Sequence, residues 1–189
     1  MVLPDGRLAS GSHDGTIRLW DLRGGAELQV LEGHGDWVTA LAVLPDGRLA
    51  SGSADGAIRL WDLQGGAEPQ VLGEHEFWVA ALAVLPDGRL ASGSEDTTIR
   101  LWDLQGGAEP QVLEGHGGGV RALAVLPDGR LVAAAGARVL VWQAAFQRVD
   151  AWFEADAVVT CLAAPPSGGI VAGDASGRLH FLELIERRP

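Results

Sequence analysis

The stretch Leu44–Asp62, LPDGRLASGSADGAIRLWD, decides how this chain folds, because near-copies of it begin at Leu3, Leu85 and Leu126. Successive starts lie 41 residues apart. Tryptophan keeps the same interval at Trp20, Trp61 and Trp102, and Trp142 arrives one residue early. A tandem repeat of this length predicts a modular array, in which each unit buries its apolar faces only by stacking on its neighbours.

Within one unit the punctuation is turn chemistry. Pro45-Asp46-Gly47 combines the fixed φ of proline with the tolerance of glycine for positive φ, Asp55-Gly56 is a hairpin signal, and Gly65-Gly66 supplies a third turn. Four short runs remain between them: VTALAV (38–43), RLASGS (48–53), AIRLWDL (57–63) and EPQVL (68–72). They predict a four-stranded antiparallel meander. The first run is apolar or small on both alternating faces and is expected to be buried on both. Pro69 suits a strand with one free edge. Helix is disfavoured because Gly, Pro and Ser interrupt every window long enough to hold one. The units divide the chain into a partial first sheet (1–33), two complete sheets (34–74 and 75–115), a degenerate fourth (116–154) and a partial fifth (155–189).

Composition narrows the function classes. A chain of 189 residues with 47% apolar residues is globular material. Its formal net charge of −11 opposes any sequence-independent grip on a phosphate backbone, so no nucleic-acid partner is expected. All 14 basic residues are Arg, and Lys, Asn and Tyr are missing, which points to a high-GC, bacterial genome. The one cysteine, Cys161, lies in the apolar run VVTCLAA and reads as a small core residue. No basic-then-apolar leader opens the sequence and no apolar run approaches the roughly 18 residues of a spanning helix. The expectation is therefore a cytoplasmic protein with no membrane partner.

The paired marks Gly33-His34 with Trp61-Asp62, Glu74-His75 with Trp102-Asp103, Gly115-His116, and Trp20-Asp21 stand in register with LPDGRLASGS. In these the chain resembles the WD40-type WD-repeat β-propellers over essentially its whole length. The resemblance implies an all-β propeller of four-stranded antiparallel blades, with a hydrogen-bonded tetrad in each well-formed blade. Here the tetrad maps onto His34, Ser51, Asp55 and Trp61, and again onto His75, Ser92, Asp96 and Trp102. The first unit retains Ser10, Asp14 and Trp20. The fourth keeps His116 and Trp142 but has Ala133 in place of serine, and the fifth has Ala155, Val171, Ala175 and Phe181 at the nearest positions.

Ser, His and Asp in one repeat also admit a hydrolase. A catalytic triad, however, needs an accessible nucleophile and an oxyanion hole, normally once per protein. A set repeated in register beside a tryptophan N–H reads as structural. The five histidines have no pair at metal-ligand spacing, and GHGGGV (115–120) lacks the Lys and Ser or Thr of a phosphate loop, so no metal and no cofactor is expected.

The places where the near-identical repeats differ mark the surfaces: His13, Ala54 and Glu95 before the hairpin turn, Asp36-Trp37, Phe77-Trp78 and Gly118-Gly119 after the histidine, and Thr39, Ala80 and Arg121. Of these His13, Trp37, Trp78, Glu95 and Arg121 are candidate partner contacts, with the two indoles as anchors or, equally, as caps between blades. About four and a half units would leave apolar flanks bare at both ends, which predicts ring completion by a second copy, a homodimer of about 8–10 blades. The alternative is the C-terminal propeller of a larger bacterial signalling ATPase or kinase. The function expected is a non-enzymatic scaffold for an unidentified protein or peptide. An array amplified by recent duplication and lacking a specific ligand is the competing reading.

Overall fold

The computed structural model describes residues 1–64, 68–104, 109–143 and 145–184, and Gly65-Gly66, the third sequence-predicted turn, lies outside them. The strands form five antiparallel sheets. The first holds β1 (Arg7–Gly11), β2 (Ile17–Asp21) and β3 (Glu27–Leu31); the second holds β4 (Val38–Val43), β5 (Leu49–Ser53), β6 (Ala57–Trp61) and β7 (Gln70–Glu74). The third consists of β8 (Val79–Val84), β9 (Leu90–Ser94), β10 (Ile99–Trp102) and β11 (Gln111–Leu113). The fourth consists of β12 (Val120–Val125), β13 (Leu131–Ala135), β14 (Arg138–Trp142) and β15 (Val149–Glu154), and the fifth of β16 (Val159–Ala163), β17 (Ile170–Asp174) and β18 (Leu179–Leu182). In every sheet neighbouring strands are consecutive in sequence, as a meander of short turns dictates. Pro69 stands just before β7, where its missing N–H costs no ladder bond.

The most buried strand is the second of each complete sheet, not the first. All five residues of β5, β9 and β13 are buried, while β4 exposes Thr39 and half-exposes Ala40 and Leu41. The reason lies in how the sheets stack. A Cβ placed on Gly52 would meet Val79 Cγ1 of the next sheet at 2.4 Å, one on Gly11 would meet Val38 Cγ1 at 2.6 Å, and one on Gly93 would meet Val120 Cγ1 at 2.6 Å. Glycine in the second strand is what lets the following sheet dock. The first strand sets its valine against that glycine and lies beside the first strands of its neighbours, while the residue after the valine, Thr39 in β4, stays open.

Four apolar clusters fill the spaces between successive sheets. Ile17, Leu19 and Leu31 meet Val38, Leu49 and Trp61, and Ile58 and Leu60 meet Val79, Leu90 and Trp102. Ile99 and Leu101 meet Val120, Leu131 and Trp142, and Val139 and Val141 meet Val159 and Ile170. Each trailing tryptophan thus packs backward onto the preceding sheet. The core is a row of interfaces rather than one centre.

The sheets do not close into a ring. On β18, Leu179 and Phe181 are 63% and 74% exposed. At the other end Met1 and Val2 follow β1 only briefly, through the Val2–Leu8 bridge and the Met1 ammonium donating to Ala9 O at 2.8 Å, so Ser10 and Gly11 carry no strand on their outer edge among the described residues.

Cys161 corrects the sequence expectation, because it is exposed. Among the described residues no further sheet covers this flank. The space over Gly173, which in the earlier sheets is filled by the valine of the next one, is taken by Cys161's own Sγ, 2.6 Å from a Cβ built on Gly173.

Candidate protein-interaction face

Two buried hydrogen-bond chains rigidify the second and third sheets. Trp61 Nε1 donates to Ser51 Oγ at 2.7 Å, Ser51 Oγ lies 2.7 Å from His34 Nε2, and His34 Nδ1 lies 3.0 Å from Asp55 Oδ2. The third sheet repeats this with Trp102 to Ser92 at 2.8 Å, Ser92 to His75 at 2.7 Å and His75 to Asp96 at 2.7 Å. With each histidine neutral and protonated at Nδ1, every donor in the chain points the same way, from indole to hydroxyl to imidazole to carboxylate.

Burial keeps both imidazoles in that state by pushing their pKa below the usual histidine value, against the opposing pull of the aspartates. Burial alone would raise Asp55, but the N–H groups of Gly35 and Ala57 and the His34 ring outweigh it and leave its pKa lowered. Asp96 is brought down to about 2 against burial by Thr98 and His75. Ser51 and Ser92 are fully buried. Neither hydroxyl can meet a substrate, so these residues act as ties between the loop carrying the histidine and the sheet behind it.

Those ties aim the adjoining loops. Ser53 Oγ donates to Asp36 O at 3.0 Å and Ala54 N to Trp37 O at 2.8 Å. Ser94 Oγ donates to Phe77 O at 3.1 Å and Glu95 N to Trp78 O at 3.0 Å. The two serines of each SGS triplet therefore have separate duties, the first completing the chain to tryptophan and the second clamping the aromatic loop.

On this scaffold the end face carries a row of aromatic rings. His13, from the first sheet, stacks on Trp37 with centroids 3.9 Å apart and planes 3° from parallel. Trp37 in turn lies 5.7 Å from Trp78 at 54°. Trp37 is 39% exposed, Trp78 47% and the neighbouring Phe77 60%. The indoles thus reach across successive sheets while remaining partly open to solvent. Three of the five sequence candidates, His13, Trp37 and Trp78, come together. The other two, Glu95 and Arg121, form an ion pair at 2.8 Å across the third and fourth sheets.

Arg121 owes its position to a β-bulge that recurs at the start of each first strand, falling also at Thr39, Ala80 and Thr160. A bulge re-aims the extra side chain, which explains why this position varies among otherwise identical repeats. The residue types gave no sign of it.

The last two sheets depart from the pattern in different ways. In the fourth, His116 Nδ1 donates to Thr97 O of the preceding sheet at 3.0 Å, while His116 Nε2 and Trp142 Nε1 are buried without a partner, as Ala133 brings no hydroxyl between them. In the fifth, pairing of Ile170 with Leu182 and of Ala172 with His180 sets Ala172 and Leu182, rather than Val171 and Phe181, in the serine and tryptophan places. A different network serves there. Asp174 accepts from the Ser176 hydroxyl at 2.6 Å and lies 2.9 Å from His180 Nε2, bonds that hold its carboxyl far below the usual range. That pair was missed in the sequence because no other repeat carries it.

Among the described residues no group of three or more His, Cys, Asp or Glu is arranged to hold a metal ion. No helix among them is long and apolar enough to cross a membrane.

Residues 2–21, 25–62, 66–103 and 107–143, well over half of the chain, match the WD40 family model, described as "WD domain, G-beta repeat". Similar proteins include a CCR4-associated factor 4 homolog of Vanderwaltozyma polyspora, 62% identical over 34 residues, which are 18% of this chain and 5% of that protein. Mitochondrial division protein 1 of Eremothecium gossypii is 57% identical over 37 residues, 20% of this chain and 5% of that protein. Nuclear distribution protein PAC1-2 of Postia placenta is 42% identical over 38 residues, 20% of this chain and 9% of that protein. The match therefore spans only a small part of these relatives, about one repeat. All three are eukaryotic, and a bacterial source finds no support among them. A chain in the crystal structure of the Mitotic Checkpoint Complex superposes with a TM-score of 0.89 at 26% identity, covering 98% of this chain and 60% of that one.

Proposed function

Since this chain belongs to the WD40 family of G-beta repeats, we propose that it is a non-enzymatic scaffold that docks a protein or peptide on the end face bearing His13, Trp37 and Trp78. The observation that carries this reading is the row of solvent-facing rings held on clamped loops. Indoles that are rigid before binding lose little entropy on contact, and such residues dominate interface energetics. The solved neighbour is a chain of the Mitotic Checkpoint Complex. Affinity capture from a lysate followed by mass spectrometry tests the reading. Proteins held by the wild type should be lost from a Trp37→Ala/Trp78→Ala variant that remains folded by circular dichroism. Undiminished capture by that variant sinks it.

The open flanks favour a second element. We propose that two copies complete the propeller between them, each covering the apolar residues Leu179 and Phe181 of the other and the free edge at Ser10–Gly11. Sedimentation velocity should give a dimer. A folded monomer at micromolar concentration would refute it.

A further inference from the structure

The aromatic row is also acidic at its margins, and this combination specifies a ligand class. We propose that the face binds an arginine-bearing segment of a partner protein, with guanidinium planes lying on Trp37 and Trp78 and bonded to Asp36 and Glu76. The proposal rests on the docking function above and names its partner chemistry.

Asp36 directly precedes Trp37, and Glu76 stands two residues before Trp78. The Asp36 carboxylate accepts the N–H of Trp37, at 2.8 Å, and neither carboxylate forms an ion pair among the described residues. Arginines of the surrounding sheets are engaged with other groups: Arg18 with Asp14 at 3.0 Å, Arg121 with Glu95 at 2.8 Å, and Arg100 with the Glu74 carbonyl at 2.7 Å. Two exposed indoles beside two uncompensated carboxylates attract a cation and repel a phosphate or an acidic peptide.

At the neighbouring position the molecule makes an arginine–carboxylate pair of its own. Where the row would continue onto the fourth sheet, Gly119 replaces the tryptophan, and Arg121 supplies a guanidinium to Glu95 from within. Elsewhere its guanidinium groups lie over aromatic rings, Arg89 at 5.1 Å from the Phe146 centroid and Arg138 at 5.8 Å from that of Trp152. Arginine is favoured over lysine because its plane stacks on an indole while its fork reaches a carboxylate, which a point-like ammonium cannot do at once. The net charge of −11 would speed the encounter.

The test uses three fluorescein-labelled heptapeptides, Gly-Arg-Gly-Arg-Gly-Arg-Gly and its Lys and Glu counterparts, titrated with the full chain by anisotropy. The arginine peptide should bind several-fold more tightly than the lysine peptide, the glutamate peptide should not bind, and salt should weaken the complex. Trp37→Ala/Trp78→Ala should weaken it at least about tenfold. Because the indoles also bridge sheets, Asp36→Asn/Glu76→Gln provides a variant that touches only the surface. It should bind several-fold more weakly with an unchanged melting curve. Absence of arginine-peptide binding at millimolar concentration, equal affinity for all three peptides, or affinity untouched in both variants overturns the proposal. If lysate capture still depends on the tryptophans in that case, the docking function survives and only its partner chemistry is wrong.

Discussion

Replacing Ala133 by serine should stabilise this protein. The fourth sheet holds a tetrad with its centre removed: His116 and Trp142 keep their places, with ring centroids 5.4 Å apart, but His116 Nε2 and Trp142 Nε1 are buried and unpaired. With its Nδ1 proton given to Thr97 O at 3.0 Å, His116 presents a bare lone pair at Nε2, while the indole presents a bare donor. A hydroxyl satisfies both at once, accepting from tryptophan and donating to histidine, as Ser51 does in the second sheet with both distances at 2.7 Å. Leaving one buried polar group unpaired costs about 1–3 kcal/mol, so two orphans set an upper limit of roughly 2–6 kcal/mol. Desolvating the new hydroxyl takes back part of this, and a net gain of about 1–3 kcal/mol is expected. For a chain of this size each kcal/mol is worth about 2–4 °C in Tm. Urea denaturation followed by tryptophan fluorescence should show a higher midpoint for Ala133→Ser at an unchanged slope. The mirror substitution Ser92→Ala should lose a similar amount. A midpoint for Ala133→Ser that is equal to or below wild type would refute the reasoning, because it would mean that the orphaned groups cost nothing or that the pocket has no room for an oxygen.

Other consequences are open to measurement. Thr97 holds φ at 72° where the equivalent Gly15 and Gly56 sit at 80° and 84°, and a β-branched residue is strained there; Thr97→Gly should raise stability by about 0.5–1 kcal/mol in the same urea assay. Gly52→Ala should cost about 1–3 kcal/mol by driving a methyl into Val79, whereas alanine at exposed Gly35 should be near neutral; comparable midpoints for the two would be the contrary result. Stability should fall on acidification. His34, His75 and His116 titrate below their unfolded value of 6.5 chiefly through burial, so their contribution is complete above about pH 6.5 and is lost as pH drops through the depressed folded values. Asp96, lowered from 3.8 to about 2, adds a further loss below about pH 3.8. A urea midpoint that rises between pH 7 and pH 5 would contradict the assignment of neutral buried imidazoles.

Much of the architecture was legible because turns are local. Asp46-Gly47 and Asp55-Gly56 mark strand ends through the φ values that their residues tolerate, and VTALAV came out as β4 to the residue. Burial was less legible. Alternation of residue type cannot tell a strand covered by two neighbouring sheets from one at the inner rim, so LASGS, with its small and polar residues, looked less buried than VTALAV and is more so. The tetrads could be placed because the WD40 resemblance implies them and the matching residues recur in register, as at His34, Ser51, Asp55 and Trp61. The Asp174–His180 pair occurs in one unit only and carried no such signal.

The repeat by itself determined the kind of unit and its number, because those follow from turns and pairing inside about 41 residues of chain, while the family resemblance supplied which side chains bond within it. What sits beside what across units was decided only by tertiary packing. His13 and Trp37 are parallel neighbours because Gly11 allows the second sheet to approach the first, and Trp78 reaches Trp37 from the third. Those contacts join different sheets, and their distances depend on inter-sheet spacing, a property of the stacked array that no single unit encodes.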